Sequence, residues 1–159
     1  MRPTPRIATV GAIVTVSDIN SEAVAQCVKE FGVNSVTSDK IETVDCDIYS
    51  PCALGGTITT DFIHRTKASI VAGAANNQLA HRNNAHIMKT RNIIYLPDFL
   101  INSGGLIHVA AAYANQSNEA ADEKINQIYT TTLQMLERAA STCETTTITA
   151  EKMALEKLK

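Results

Sequence analysis

The amino-acid sequence predicts an α/β fold in which helices cover both faces of a mostly parallel sheet. Three observations predict it: β-branched runs alternate with amphipathic segments, polar or glycine-rich stretches follow the runs, and the last third has helical periodicity. Strands that alternate with helices are joined by crossovers, which make neighbouring strands parallel. A chain of 159 residues supports one core, so we expect a single domain, with strand and helix alternation over about residues 11–97 and helices over about 98–159.

The first strand and helix are predicted near the N-terminus. The β-branched run "AIVTVSD" (12–18) is bounded by Gly11 and Asp18, as a buried strand would be. The next segment, residues 21–32, places apolar side chains at helical spacing. Ser21 is its expected N-cap, and Gly32 lies just past its end.

Further strands follow in the same rhythm. A brief extended segment, "NSVTS", precedes "CDIYSP" (46–51), a strand that Pro51 ends. The runs "ASIVAGAA" (68–75) and "NIIYL" (92–96) predict two more strands, with a polar helix between them that starts near Asn77 or Gln78.

Beyond residue 98 the pattern becomes helical. An apolar stretch containing a Gly pair is followed by a long amphipathic segment, residues 118–140. A Thr-rich linker then leads to a final helix from about Thr149 to Leu158.

Unusual residues collect where the predicted strands end. Asp18 follows the first strand, and the stretches "SPCALGG", "GAANNQ" and "PDFLINSGG" follow the later ones. Ligands of open parallel sheets bind outside the carboxyl ends of the strands, so these exits predict one binding edge.

Each feature also has a structural interpretation. Asp18 either caps a turn or accepts hydrogen bonds from a ribose diol. Asn76 and Asn77 either start a helix or offer a donor and an acceptor to a carboxamide.

The glycines have two interpretations as well. Gly55 and Gly56 either make a turn or let the backbone touch a flat ring. Gly104 and Gly105 lower helix stability by about 1 kcal/mol each relative to Ala, so we expect a close approach there.

Composition excludes several classes of protein. A net charge of −2 gives no electrostatic reason to bind nucleic acid or a membrane surface, and no run is long and apolar enough to be a membrane helix. The four cysteines lack zinc-site spacing and the four histidines show no ligand pair, so we expect no metal. These features predict a soluble, cytoplasmic protein with reduced thiols.

Three motifs, in this order and spacing, resemble one known family. The stretches "CDIYSPCALGG", "IVAGAANNQL" and "IIYLPDFLINSGGLIHV" are similar to those of the Glu/Leu/Phe/Val dehydrogenase family, most of all to its leucine, valine and phenylalanine branch. The resemblance covers about residues 11–158 and implies the Rossmann-type, NAD-binding C-terminal domain of an amino-acid dehydrogenase.

The resemblance implies roles for matching positions. An acidic residue at the end of the second Rossmann strand binds the adenosine ribose and favours NAD over NADP. Backbone after the next strand lies along the cofactor. The first Asn of the "ANN" motif helps to position the substrate and the nicotinamide end, the Asn before the Gly pair holds the carboxamide, and an apolar pair three apart lines the substrate side-chain pocket. In this sequence these are Asp18 for the ribose, Cys52, Ala53 and Leu54 along the cofactor, Asn76 and Asn102 at the nicotinamide, and Leu106 and Val109 for the substrate.

The sequence also departs from the family pattern. The family's first strand and its glycine fingerprint precede the position of Gly11, whereas this chain begins "MRPTPRIAT". The resemblance therefore implies a partial Rossmann sheet that lacks its first strand and phosphate cradle, with two open strand edges. The family's catalytic lysines lie in an upstream substrate domain, and Lys40, Lys67 and Lys89 lie in solvated segments, so no catalytic residue is assigned.

Two functions remain open. The first is a truncated or split NAD-dependent dehydrogenase that oxidatively deaminates an apolar L-amino acid such as leucine, valine or phenylalanine. It would be inactive alone, with the amino acid or its 2-oxo acid bound once a catalytic domain completes it. The second is a non-catalytic protein that pairs its open sheet edges, as a homo-oligomer or with a partner.

Overall fold

The computed structural model describes residues 11–158, in which five short strands and seven α-helices form two compact units. The first unit ends at Val44 and the second begins at Asp45. The single-domain organisation stays a prediction. Residues 1–10, where the glycine fingerprint is missing, lie outside the described residues.

The N-terminal unit is one strand, helix and strand motif. Strands β1 (Thr15–Val16) and β2 (Asn34–Ser35) are parallel, and helix α1 (Ser21–Phe31) connects them. Asn20 caps the helix, because its side chain accepts the backbone N–H groups of the second and third helical residues. The prediction that Ser21 is the N-cap is therefore wrong by one residue, while Gly32 takes the expected left-handed conformation, with φ of 64°. A 3₁₀ turn (Ile41–Thr43) follows.

The C-terminal unit contains a three-stranded parallel sheet. Its strands are β3 (Ile48–Tyr49), β4 (Ile70–Val71) and β5 (Ile94–Tyr95), in the order β3-β4-β5. Each strand lies within a predicted run but is only two residues long. In the described part of the chain β3 pairs only with β4 and β1 only with β2, so each has an open edge.

The two faces of this sheet differ in burial. Tyr49, Val71 and Tyr95 are in register on one face, where they pack with Phe62 and its neighbours in the main apolar core. The aromatic rings of Tyr49 and Phe62 lie 4.7 Å apart, centroid to centroid. The other face carries the in-register isoleucines of the same strands, of which Ile48 is 55% exposed and Ile94 44% exposed.

Six helices complete the C-terminal unit. They are α2 (Thr60–Arg65), α3 (Asn84–Thr90), α4 (Asp98–Ile101), α5 (Gly104–Tyr113), α6 (Asn118–Thr142) and α7 (Thr146–Glu156). Parallel strands followed by a helical C-terminal third confirm the predicted α/β fold class.

Two helix predictions need correction, and one helix was not predicted. The helix after β4 starts at Asn84, not near Asn77 or Gln78, because Asn77 has a positive φ of 52° and the next residues pair with Ile58. Helix α2 was not predicted, since it is only six residues long. The last helix starts three residues before Thr149, because the hydroxyl of Thr145 caps it.

Candidate functional site

Three loops that leave the sheet of the C-terminal unit contact one another. We call them exit loops: residues 50–56 after β3, 72–78 after β4 and 96–103 after β5. The backbone N–H of Gly56 donates to the carbonyl of Asn77 at 2.7 Å, which joins the first exit loop to the second. The backbone N–H of Asn77 donates to the carboxylate of Asp98 at 2.8 Å, which joins the second to the third. The convergence predicted for strand exits is thus observed for these three.

Two glycines allow the first and second exit loops to meet. A Cβ atom on Gly73 would lie 2.1 Å from the carbonyl oxygen of Pro51, and one on Gly55 would lie 2.6 Å from that of Asn76. Real Cβ atoms do not approach backbone atoms so closely, so glycine is required at both positions. Gly55 was expected to make a turn or touch a flat ring; instead it packs against neighbouring backbone. Gly56 does have a turn conformation, with φ of 72°.

Asn76 and Asn102, both predicted site residues, form a hydrogen-bonded pair across the second and third exit loops. The Asn102 Nδ2 donates to the Asn76 Oδ1 at 2.7 Å and to the carbonyl of Ala74 at 3.2 Å. Within residues 11–158 nothing bonds to the Asn76 Nδ2 or the Asn102 Oδ1. The pair therefore offers one donor and one acceptor, the complement of a carboxamide.

A buried tyrosine and a half-buried carboxylate lie beside this pair. The Tyr95 hydroxyl donates to one oxygen of Asp98 at 2.8 Å, while the other oxygen accepts the Asn77 N–H. Burial raises the pKa of Tyr95 well above its usual range, and the bond to the Asp98 carboxylate adds to the rise. Sequence reasoning missed both residues; the available signal was an acidic residue directly after Pro97 at a strand exit.

The side chain of Gln78 is hydrogen-bonded to the backbone of the second exit loop. Its side chain is fully buried, and the Nε2 donates to the carbonyls of Gly73 at 2.7 Å and Ala75 at 2.9 Å. The Oε1 has no partner in the described part of the chain. These bonds fix the loop that carries Asn76, a role that the sequence did not reveal because a polar residue after a strand is usually exposed.

The predicted cofactor-contacting residues of the first exit loop are accessible. Cys52, Ala53 and Leu54 are all exposed, and Leu54 retains 75% of its accessible surface. The Cys52 thiol lies 3.4 Å from the Ser50 hydroxyl.

The predicted substrate residues lie on one exposed side of α5. Leu106 and Val109 are 72% and 67% exposed and lie three residues apart. The expected close approach at the Gly pair is not observed in the described chain: a Cβ on Gly104 would make an ordinary contact of 3.8 Å with Ile125, and one on Gly105 would meet nothing within 4 Å. The space beside Gly105 is therefore open.

Asp18, the predicted ribose ligand, lies on a groove within the N-terminal unit. One carboxylate oxygen accepts the backbone N–H of Asn20 at 2.9 Å, so the turn predicted as the structural interpretation is present. Asp18 is nevertheless exposed. The groove, of about 470 Å³, lies at the ends of β1 and β2 and is lined by Asp18, Ser21, Val24, Ser35, Val36, Thr37 and Lys40. Binding of ribose there stays a prediction.

The expectation that no lysine of this chain is catalytic stays a prediction, and the lysines of the described chain lie at its surface. Every lysine among residues 11–158 is exposed; Lys67 pairs with Asp45 at 3.1 Å, and Lys89 donates to the carbonyl of Cys143. A lysine with a strongly lowered pKa requires burial or a cationic neighbour. In the same residues no group of three His, Cys, Asp or Glu side chains could hold a metal, and no helix is long and apolar enough to cross a bilayer.

Comparisons with known proteins identify relatives over nearly the whole chain. The family profile described as Glutamate/Leucine/Phenylalanine/Valine dehydrogenase matches residues 8–159. A leucine dehydrogenase from Bacillus cereus is 39% identical over 148 residues, which are 93% of this chain and 40% of that protein. A phenylalanine dehydrogenase from Thermoactinomyces intermedius is 36% identical over 152 residues, 94% of this chain and 42% of that protein. The chain thus spans about two fifths of the length of the curated relatives it matches.

Solved structures of amino-acid dehydrogenases match the fold of this chain. The crystal structure of L-tryptophan dehydrogenase from Nostoc punctiforme matches with a TM-score of 0.91 and 34% identity, over 95% of this chain and 45% of that one. A hetero-hexameric glutamate dehydrogenase from Thermus thermophilus matches with a TM-score of 0.63 and 17% identity, over 88% of this chain and 36% of that one. The second likeness supports the fold alone.

Proposed function

The chain belongs to the Glutamate/Leucine/Phenylalanine/Valine dehydrogenase family, and we propose that it holds the nicotinamide end of NAD in an amino-acid dehydrogenase. The observation that carries the proposal is the Asn76–Asn102 pair, whose unbonded Nδ2 and Oδ1 match the acceptor and donor of the nicotinamide carboxamide. When bound, the nicotinamide supplies the hydride acceptor. The residues of this chain bind and orient it.

The family as a whole is NAD(P)-dependent, and we propose NAD for this chain. A carboxylate at the end of a strand can accept hydrogen bonds from both hydroxyls of a ribose and repels a 2′-phosphate. Asp18 is exposed on the groove of the N-terminal unit and retains one oxygen beyond its bond to Asn20. Cys52, Ala53 and Leu54 would lie along the cofactor, since all three residues are exposed.

For the substrate we propose an apolar L-amino acid. Leu106 and Val109 form an exposed apolar pair on α5, directly after the open space at Gly105. The named relatives act on leucine, phenylalanine and tryptophan, which are all apolar or aromatic. We also place the protein in the cytoplasm, because its four cysteines are free thiols.

Oxidative deamination requires a group that takes protons from the amino acid, in addition to a bound cofactor. The exposed lysines of the described chain do not meet that need. We therefore propose that the 159 residues bind the dinucleotide weakly and oxidise an amino acid only together with a substrate domain.

The direct experiment has two steps. NADH is titrated into the chain and its fluorescence followed, with Asn102→Ala as the test variant and Asn126→Ala, an exposed residue of α6, as the matched control. We expect Asn102→Ala to weaken binding by about tenfold, as loss of a buried ligand hydrogen bond does, and the control to bind as the wild type. Leucine oxidation is then measured with and without the portion of the Bacillus cereus enzyme that this chain does not match. Equal binding by all three proteins, or no activity in the mixture, would contradict the proposal.

A second function is favoured by one observation. Among the described residues, β3 has an open edge, and the sheet face that carries Ile48 on β3 and Ile94 on β5 is partly exposed and apolar, so a second copy could cover this surface. Light scattering separates the two functions. A stable dimer whose mass and melting temperature do not change when NADH is added favours the interaction protein. A monomer whose melting temperature NADH raises favours the dehydrogenase.

A further inference from the structure

Asp98 is hydrogen-bonded to Asn77, the residue after Asn76, and to the backbone of Asn102. One carboxylate oxygen accepts the backbone N–H of Asn77, the other accepts the hydroxyl of Tyr95, and its backbone carbonyl accepts the N–H of Asn102 at 2.9 Å. Resting on the function proposed above, we infer that Asp98 is a positioning residue that sets the geometry of the Asn76–Asn102 pair for the carboxamide.

Asp98 supports the second exit loop at Asn77. Asn77 has a φ of 52°, a left-handed conformation that residues other than glycine adopt at some cost. A hydrogen bond from its N–H to a carboxylate is stronger than one to a neutral acceptor. Asp98 therefore supports the turn at Asn77, and this turn determines where the preceding residue, Asn76, directs its side chain.

Asp98 also contacts the third exit loop through its backbone carbonyl. The Asn102 N–H donates to the carbonyl of Asp98, which ends the four-residue helix α4 and places Asn102 just beyond it. A single residue thus fixes the backbone beside both members of the pair. Replacing the Asp98 carboxylate weakens the bond to Asn77 and should move Asn76 relative to Asn102, whose bond to the Asp98 backbone carbonyl remains.

Tyr95 fixes the carboxylate in turn. The ring of Tyr95 is 3% exposed and belongs to the main apolar core, so its hydroxyl has one position. A tyrosine hydroxyl is protonated at neutral pH, so it donates to the carboxylate, and the raised pKa of Tyr95 extends this to higher pH. Asp98 therefore connects the core of the sheet, through Tyr95, to the backbone beside the Asn76–Asn102 pair.

A purely structural role would look different. Acidic residues in the first turn of a helix stabilise it through the helix dipole; Asp61 in α2 and Asp98 in α4 both lie there, but only Asp98 also accepts hydrogen bonds from Asn77 and Tyr95. Removing an acid of that kind lowers stability and leaves the nicotinamide end of a bound dinucleotide unaffected. Asp61→Asn is therefore the matched control for Asp98→Asn.

The test compares two ligands and one spectroscopic signal. NADH carries the nicotinamide, whereas ADP-ribose lacks it. We expect Asp98→Asn to weaken NADH binding by about tenfold and ADP-ribose binding by less than about twofold, because a charged acceptor is replaced by a neutral amide. Tyr95→Phe, which keeps the carboxylate, should lose about threefold for NADH only. Asp61→Asn should change neither affinity.

Nuclear magnetic resonance of the side-chain amides makes the result independent of ligand binding. We expect the Asn76 and Asn102 side-chain amide signals to shift in Asp98→Asn and in Tyr95→Phe and to stay in place in Asp61→Asn. Unchanged signals in both site variants would overturn the inference, and Tyr95→Phe serves if Asp98→Asn does not fold. Equal affinities of the wild type for NADH and ADP-ribose would instead overturn the proposed function and leave the amide signals to decide the role of Asp98.

Discussion

Replacing Gly73 by alanine tests whether the exit loops meet as the structure shows. The new Cβ would lie 2.1 Å from the carbonyl oxygen of Pro51, 2.5 Å from its nitrogen and 2.6 Å from its Cδ. None of these atoms can rotate away, so the first exit loop must shift. The shift would also break the bond from the Ala75 N–H to the Pro51 carbonyl, now 3.0 Å long.

The expected loss follows from these two effects. Overpacking costs about 1–3 kcal/mol and the lost hydrogen bond about 1 kcal/mol, so the free energy of unfolding should fall by about 2–4 kcal/mol. For a chain of this size that is a decrease in melting temperature of about 5–15 °C. The assay is urea and thermal unfolding followed by circular dichroism.

Gly105→Ala is the matched control. A Cβ there meets nothing within 4 Å, and the residue lies inside α5, so stability should be unchanged or should increase by up to about 1 kcal/mol. If Gly73→Ala unfolds within about 0.5 kcal/mol of the wild type, a usual limit for neutral surface changes, the contact at Pro51 is refuted.

Three further predictions concern titration, reactivity and cofactor choice. Because the folded-state pKa of Tyr95 lies above the ordinary value of 10, the stability it contributes is complete below pH 10 and decreases as the pH rises further. The difference in unfolding free energy between the wild type and Tyr95→Phe should then fall by up to about 1.4 kcal/mol per pH unit, and a constant difference in alkaline urea titrations would contradict this. NADH should slow alkylation of Cys52 but not of Cys143, another exposed cysteine directly after α6. Peptide mass spectrometry would report both rates, and protection of both thiols or of neither contradicts the site. Asp18→Ser should improve NADPH binding relative to NADH by about tenfold, since a repulsive charge is removed, and an unchanged ratio in fluorescence titrations would exclude Asp18 from the ribose site.

The fold was largely predictable because its signals are local. β-Branched runs identified every strand of the C-terminal unit, although each strand is shorter than its run, since only two residues of each make ladder contacts with a neighbour. The start of α3 was not predictable, because a left-handed Asn77 and the pairing of Leu79 with Ile58 delay it. Those effects depend on Ile58 and Asp98, which are far from Leu79 and Asn77 in the sequence.

The site was predictable in part for a similar reason. Parallel strands place their exits at one edge, so the meeting of Asn76 and Asn102 followed from their positions after β4 and β5. Asp98 and Gln78 were missed, because their roles depend on hydrogen bonds that no sequence period reports. Gly55 was expected either to make a turn or to touch a flat ring, whereas its near neighbour is the backbone of Asn76.

The central claim is that Asn76 and Asn102 receive a carboxamide. The most direct measurement is the ratio of dissociation constants for NAD and for nicotinic acid adenine dinucleotide, which has a carboxylate in that place and no N–H to donate. We predict that the wild type prefers NAD by about tenfold, because the carboxylate would leave the Asn102 Oδ1, an acceptor, facing a negative charge. We also predict that Asn102→Ala loses this preference. Equal binding of the two dinucleotides by the wild type would contradict it.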